Sequence, residues 1–168
     1  MVLVNEPLER AKRGLQFEDI SQAKVEAWLE GKFDPRFNSG VQNYQLQLKH
    51  HVIESNLIEI KDSDQPFDIF RVYIDVGARL VFSDDKREEH PIAQIEAAYR
   101  VDYRVTDPAL IEDKVALDAF ALKNASYHLW PYWREYVMSQ SLRMNLPKIA
   151  LPVRMHQSAV VSPEESES

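Results

Sequence analysis

Two stretches of this chain place an apolar residue at every second position without a break, and a period of two puts those side chains on one face of an extended strand. From Phe70 to Phe82 the even positions Phe70, Val72, Ile74, Val76, Ala78, Leu80 and Phe82 are apolar, while Arg71, Asp75 and Arg79 fall on the odd face. From Ala93 to Val105 the odd positions Ala93, Ile95, Ala97, Tyr99, Val101, Tyr103 and Val105 are apolar, against Gln94, Glu96, Arg100, Asp102 and Arg104. Both read as long strands buried on one side. The run Tyr44 to Ile60 begins in the same way with Tyr44, Leu46 and Leu48 and blurs at His50-His51-Val52-Ile53, where a bulge or register change is expected. Ala23 to Phe33 also alternates and is read as a further strand.

The gaps Lys61–Pro66 and Ser83–Pro91 are polar, rich in turn formers and too short for a crossover helix, so the strands are expected to run antiparallel. Between the first two strands, Asp34-Pro35-Arg36-Phe37-Asn38-Ser39-Gly40 reads as a longer loop that crosses other chain. Beyond Val105 the period changes. Thr106-Asp107-Pro108 offers a cap with proline at a first helical position, predicting a helix over Ala109–Leu122. A second helix is expected from about Ser126 to Met144, with Trp130, Trp133, Val137 and Met144 on one stripe and Pro131 near its start or at a kink. Pro147 and Pro152 make the following Asn145–Met155 segment extended. The reading is one α+β domain over 1–155, with a four-stranded antiparallel sheet, then a short and a long helix, and a disordered acidic tail at 156–168.

Composition excludes several functions. The chain has 168 residues and no cysteine, which removes disulfides, thiolate metal sites and thiol nucleophiles. A net charge of −7 disfavours phosphate backbones and anionic membrane as partners, so neither nucleic acid nor membrane insertion is expected. No run approaches the roughly 20 apolar residues that span a bilayer, and the N-terminus lacks an export signal. A cytoplasmic location is expected. Four glycines supply no phosphate-binding loop. His50 and His51 are adjacent on a strand and face opposite sides, so they cannot share a metal ion. Ser55, Ser126, Ser139 and Ser141 have no nucleophile-elbow context. No catalytic constellation stands out, and no enzyme is expected.

The segment Tyr127–Met138 is different. It holds Tyr127, Trp130, Tyr132, Trp133 and Tyr136, five of the ten tryptophan and tyrosine residues in the chain. One helical stripe cannot bury five rings, so some should face a second subunit or an apolar ligand. Arg134, Arg143, Lys148 and Arg154 against Glu135 also make Leu129–Met155 basic in an otherwise acidic chain.

Leu129-Trp-Pro-Tyr-Trp-Arg-Glu135, followed by Leu146-Pro147 and Leu151-Pro152-Val153, resembles the protein-export chaperone family SecB. Leu129, Trp130, Pro131, Tyr132, Arg134, Glu135, Pro147, Leu151, Pro152 and Val153 match its pattern residue by residue, after four alternating strands as in that family. The resemblance implies a SecB-like subunit assembling as a dimer of dimers, a homotetramer. It further implies a cofactor-free, ATP-independent holdase that binds unfolded or precursor polypeptides in apolar grooves and hands them to the motor SecA. Carried over, the polypeptide-binding residues are Trp130, Trp133, Tyr136 and Val137 on the helix, with Leu146, Ile149, Leu151, Val153 and Met155 after it. Trp28, Tyr44, Leu46 and Leu48 are strand candidates, the alternation leaving open which face is groove and which is core. Glu96 is the residue that matches an acidic SecA-type contact.

Two departures from the family bear on the recipient. Export-type members continue into another helix that acts as a lid and helps recruit SecA, whereas here thirteen residues follow Met155. Relatives with short C-termini also serve toxin-antitoxin modules by protecting an aggregation-prone antitoxin. The main reading is therefore a holdase for export precursors. The alternatives are a SecB-like chaperone dedicated to an antitoxin or another single partner, and a small-molecule-binding α+β domain.

Overall fold

The computed structural model describes residues 6–37, 44–83 and 89–153. Met155 and the expected tail at 156–168 lie outside the described residues. Helix α1 (Glu6–Gly14) is followed by strands β1 (Leu15–Leu29), β2 (Tyr44–Ile60), β3 (Phe67–Ser83) and β4 (Glu89–Val105), then by helices α2 (Lys114–Lys123) and α3 (Ala125–Arg143). The strands form one antiparallel sheet in the order β1-β4-β3-β2. β1 and β2 are the two edges, with β4 and β3 between them, and residues 38–40 of the expected long loop lie outside the described residues.

Side-chain burial follows the period of two in the central strands. Val72, Ile74, Val76 and Ala78 on β3 and Ile95, Ala97, Tyr99 and Val101 on β4 are buried, while the intervening Tyr73, Asp75, Glu96 and Ala98 are half-exposed and Arg100 is exposed. The edge strands show no such contrast. β1 is exposed along most of its length on both faces, which is why its alternation is blurred between Phe17 and Gln22 and why the sequence places its start at Ala23 instead of Leu15.

Two helical details also differ from expectation. α1 is a short amphipathic helix, with Leu8 and the buried Ala11 three residues apart on one side, and Glu6 and Glu9 in its first turn and Lys12 and Arg13 in its last complement the helix dipole. The helix expected over Ala109–Leu122 is a short 3-10 turn, Pro108–Glu112, followed by α2, because two aspartates cap in succession. Asp107 accepts from the Ala109 N–H at 3.0 Å, and Asp113 accepts from the Ala116 N–H at 3.1 Å.

The chain divides into two compact units, and each strand contributes a segment to both. The first comprises Met1–Ala23, Val52–Ile74 and Tyr99–Leu129. Here the Gly14 carbonyl accepts from the Thr106 N–H at 2.8 Å, and a Cβ on Gly14 would lie 2.5 Å from Leu110 Cδ1. Only glycine permits that approach. Arg10 forms a two-pronged ion pair with Asp113 at 2.8 and 3.2 Å, joining α1 to the α2 cap and holding the Asp113 carboxyl below its usual range. On the polar face of the sheet Arg71 clamps Asp102 at 2.7 and 2.8 Å, while Arg104 pairs with Glu18 and lies 3.9 Å over the Phe67 ring.

The second unit comprises Lys24–His51, Asp75–Ala98 and Trp130–Ser168. Its core gathers Val76, Ala78 and Leu80 of β3, Ala93, Ile95 and Ala97 of β4, and Trp130, Trp133 and Val137 of α3. Among the described residues no helix is long and apolar enough to cross a membrane.

Burial lowers the protonation tendency of His128 in the first unit and, together with the neighbouring His51 charge, that of His50 in the second. The unfolded chain protonates both near the ordinary value of 6.5. It therefore binds more protons than the folded chain below that value, so stability is complete above it and drains as pH falls through the depressed folded values. The urea midpoint is expected to drop between about pH 7.5 and about pH 5.5, and a His50→Gln/His128→Gln chain to show a flatter dependence. An equal slope in both chains would contradict this.

Candidate functional site

All the described residues that the sequence marks for polypeptide contact fall in the second unit. The two parts of the sequence motif are joined there. The Trp130 indole N–H donates to the Pro152 carbonyl at 2.8 Å, and Arg134 Nε donates to the Leu151 carbonyl at 3.0 Å. The chain can return along α3 because the helix ends in a Schellman turn. The Leu146 N–H bonds the Ser141 carbonyl at 3.0 Å, the Asn145 N–H bonds Leu142 at 3.2 Å, and Asn145 sits at φ 55°. Pro147 and Pro152 then keep residues 146–153 free of regular structure. Their backbone acceptors find partners on α3 instead.

This return arm uses most of its apolar side chains internally. Leu146, Ile149 and Leu151 are buried, as is Trp130, and Trp133 and Val137 are 1% and 0% exposed. Six of the residues read as polypeptide contacts therefore pack inside the unit in this chain. Tyr136 is half-buried, its ring 6.1 Å from that of Trp133, and Val153 is exposed. Pro131 lies within α3, where its missing N–H leaves the helix continuous. Tyr132 and Leu142 are exposed, so α3 is apolar both toward the core and away from it.

The structure separates the two faces of β2. Gln47 and Lys49 take the polar face: Arg79 Nε donates to Gln47 Oε1 at 2.7 Å, Gln47 donates to Glu89, and Lys49 pairs with Glu96 at 3.0 Å. Gly77 lies beneath that pair, where a Cβ would come within 3.3 Å of Glu96 Cγ. Glu96, the residue matched to a SecA-type contact, thus already has a cation beside it. The opposite face carries Tyr44, Leu46 and Leu48. Tyr44 meets Phe33 at 5.6 Å and Phe82 at 5.7 Å between ring centroids, both edge to face. Since Phe82 shares the face of the buried Val76, Ala78 and Leu80, the face of Tyr44 is the core face of the sheet. It runs on uncovered at the edge, with Leu46 and Leu48 42% and 50% exposed. Trp28 on β1 is half-buried. Phe33 and Phe82, which complete the aromatic cluster around Tyr44, were not singled out from the sequence, although Phe82 belongs to the alternating run that marks β3.

No protein-family model and no curated protein matches this chain. Among solved structures it is similar to the SecB-like chaperone Rv1957 of Mycobacterium tuberculosis, in complex with a ChAD peptide from the Rv1956 HigA1 antitoxin. The TM-score is 0.63 at 19% identity, covering 90% of this chain and 99% of that one. A protein of unknown function from Streptococcus agalactiae matches 82% of this chain and 96% of its own at 8% identity, with a TM-score of 0.31 that carries no weight. The first likeness establishes a SecB-like fold for this chain.

The arm's attachment can be tested directly. Trp130→Phe keeps the ring but leaves the Pro152 carbonyl without its donor, and should cost about 1 kcal/mol with faster amide exchange at Ile149, Leu151 and Val153. Asn145→Val, which forces a β-branched residue to φ 55°, should cost about 1–2 kcal/mol, whereas Asn145→Gly should be close to neutral in the same urea titration.

Proposed function

We propose that this protein is a non-enzymatic, ATP-independent chaperone that holds an unfolded polypeptide segment. The carrying observation is the core face of the sheet running uncovered at edge strand β2, in a SecB-like fold. An edge strand offers unpaired backbone N–H and C=O groups, and an extended client can pair with them while its side chains rest on Leu46 and Leu48. Tyr136 and Val153 extend the contact surface on α3 and the return arm. Trp28 and Tyr44 border it from the strands. Trp130, Trp133, Val137, Leu146, Ile149 and Leu151 hold the surface in shape from within.

The client is a dedicated partner of antitoxin type. Support comes from the structural neighbour, which is bound to an antitoxin peptide, and from the pairing of Glu96 with Lys49, which removes the free acidic group that delivery to SecA calls for. On this reading the subunits form a homotetramer in the cytoplasm, each a single SecB-like domain over 1–155.

A Trp133→Ala/Val137→Ala chain would measure folding instead of capture, because truncating fully buried side chains costs about 2–5 kcal/mol each. The informative variant is Leu46→Ser/Leu48→Ser, whose side chains are half-exposed. Size exclusion with light scattering should show a tetramer near 78 kDa, four times 19.5 kDa, that carries an unfolded client without nucleotide. The variant should keep the mass and lose about tenfold or more in client affinity. Capture unchanged in the variant would remove β2 as the client site. General suppression of aggregation by many unrelated clients would favour the export holdase over the dedicated chaperone.

A further inference from the structure

The first unit contains a cleft of about 320 Å³ that the polypeptide-binding reading does not use. Five elements converge on it: Lys12 from α1, Leu15 and Phe17 from β1, Tyr103 from β4, Phe120 from α2, and Asn124 and His128 at the junction with α3. Tyr103 and Phe120 are buried and pack edge to face at 4.7 Å. Phe17 stands 6.2 Å from Tyr103 and 5.8 Å from His128, with its own ring 41% exposed. The wall is thus aromatic and open at Phe17, since Tyr103 and Phe120 are 1% and 2% exposed, and the uncovered part of Phe17 suits an apolar guest of modest size.

The polar groups of the cleft are Lys12, Tyr103, Asn124 and His128. The Tyr103 hydroxyl lies 2.8 Å from His128 Nδ1. Burial pushes the tyrosine up and the histidine down, so both groups favour their uncharged forms and share one hydrogen bond. Lys12 adds a cation. Its contact with Glu9, at 3.0 Å within one helix, is exposed on both sides and easily exchanged for another carboxylate.

We propose that this cleft binds a small free carboxylic acid with an aromatic or alkyl body, the body lying against the exposed side of Phe17, which Tyr103 backs, and the carboxylate on Lys12. The anion takes the place of Glu9 as the partner of Lys12. The site is independent of β2 in the second unit.

The test is calorimetry on the full chain with 4-phenylbutyrate and its uncharged amide. One saturable site per chain is expected, with the acid bound more tightly than the amide. Lys12→Gln should weaken the acid about threefold and leave the amide unchanged. Phe17→Ala, at a partly exposed position with little bearing on folding, should weaken both about tenfold. The Leu46→Ser/Leu48→Ser chain should bind the acid as the parent does, so that failure of client capture and failure of this site remain distinguishable. Absence of saturable binding overturns the proposal, as does equal affinity for acid and amide or indifference to both Lys12→Gln and Phe17→Ala.

Discussion

One-sided burial in the two central strands is the constraint on which the structure rests. β3 and β4 bring a nearly continuous apolar row to one face, and a row of that length must be removed from water. The opposite face carries Arg71 with Asp102, Lys49 with Glu96 and Arg104 with Glu18, which stay hydrated while paired. A sheet of this kind accepts apolar cover on one side alone. Helical side chains are accordingly buried in both units, Phe120 and Leu129 in the first and Trp133 and Val137 in the second.

The same constraint gives the aromatic motif a physical basis. Trp130 and Arg134 lie four residues apart on α3, about one turn, and their donors reach the carbonyls of Pro152 and Leu151, which are adjacent on the returning arm. Tryptophan supplies bulk and one donor, and arginine supplies a donor on a long stem, so both can cross from helix to arm. Ser141 adds a bond from its hydroxyl to the Val137 carbonyl, in a place where a larger side chain would not fit the buried last turn. The motif is a fastening between helix and arm.

How far the sequence reveals this depends on burial. Phe70–Phe82 and Ala93–Val105 are legible because each strand has a dry face and a wet face, and both runs sit within the observed strands. β1 is legible only in its second half, since an edge strand exposed on both faces imposes no alternation before Ala23. α1 escapes because nine residues carry too few turns to display a helical period, and its place is completed by long-range contacts, Gly14 with Thr106 and Arg10 with Asp113. In the candidate site, aromatic enrichment identifies the right helix but not the direction of each ring. Trp133 faces inward and Tyr132, its neighbour, outward, a difference set by the phase of the helix against the core.

The strand order also governs how this protein comes into being. β1 is made first, yet its partner β4 ends at Val105. At ribosomal speeds of roughly 5–20 residues per second, β1 waits several seconds or more for a neighbour, while β2, β3 and β4 can zip together in order as they emerge. During that interval its backbone is open to any extended chain nearby. The newborn chain therefore passes through a stage with an unpaired strand on a nascent polypeptide. Other copies of the chain emerging from one messenger are the nearest chains able to meet it there.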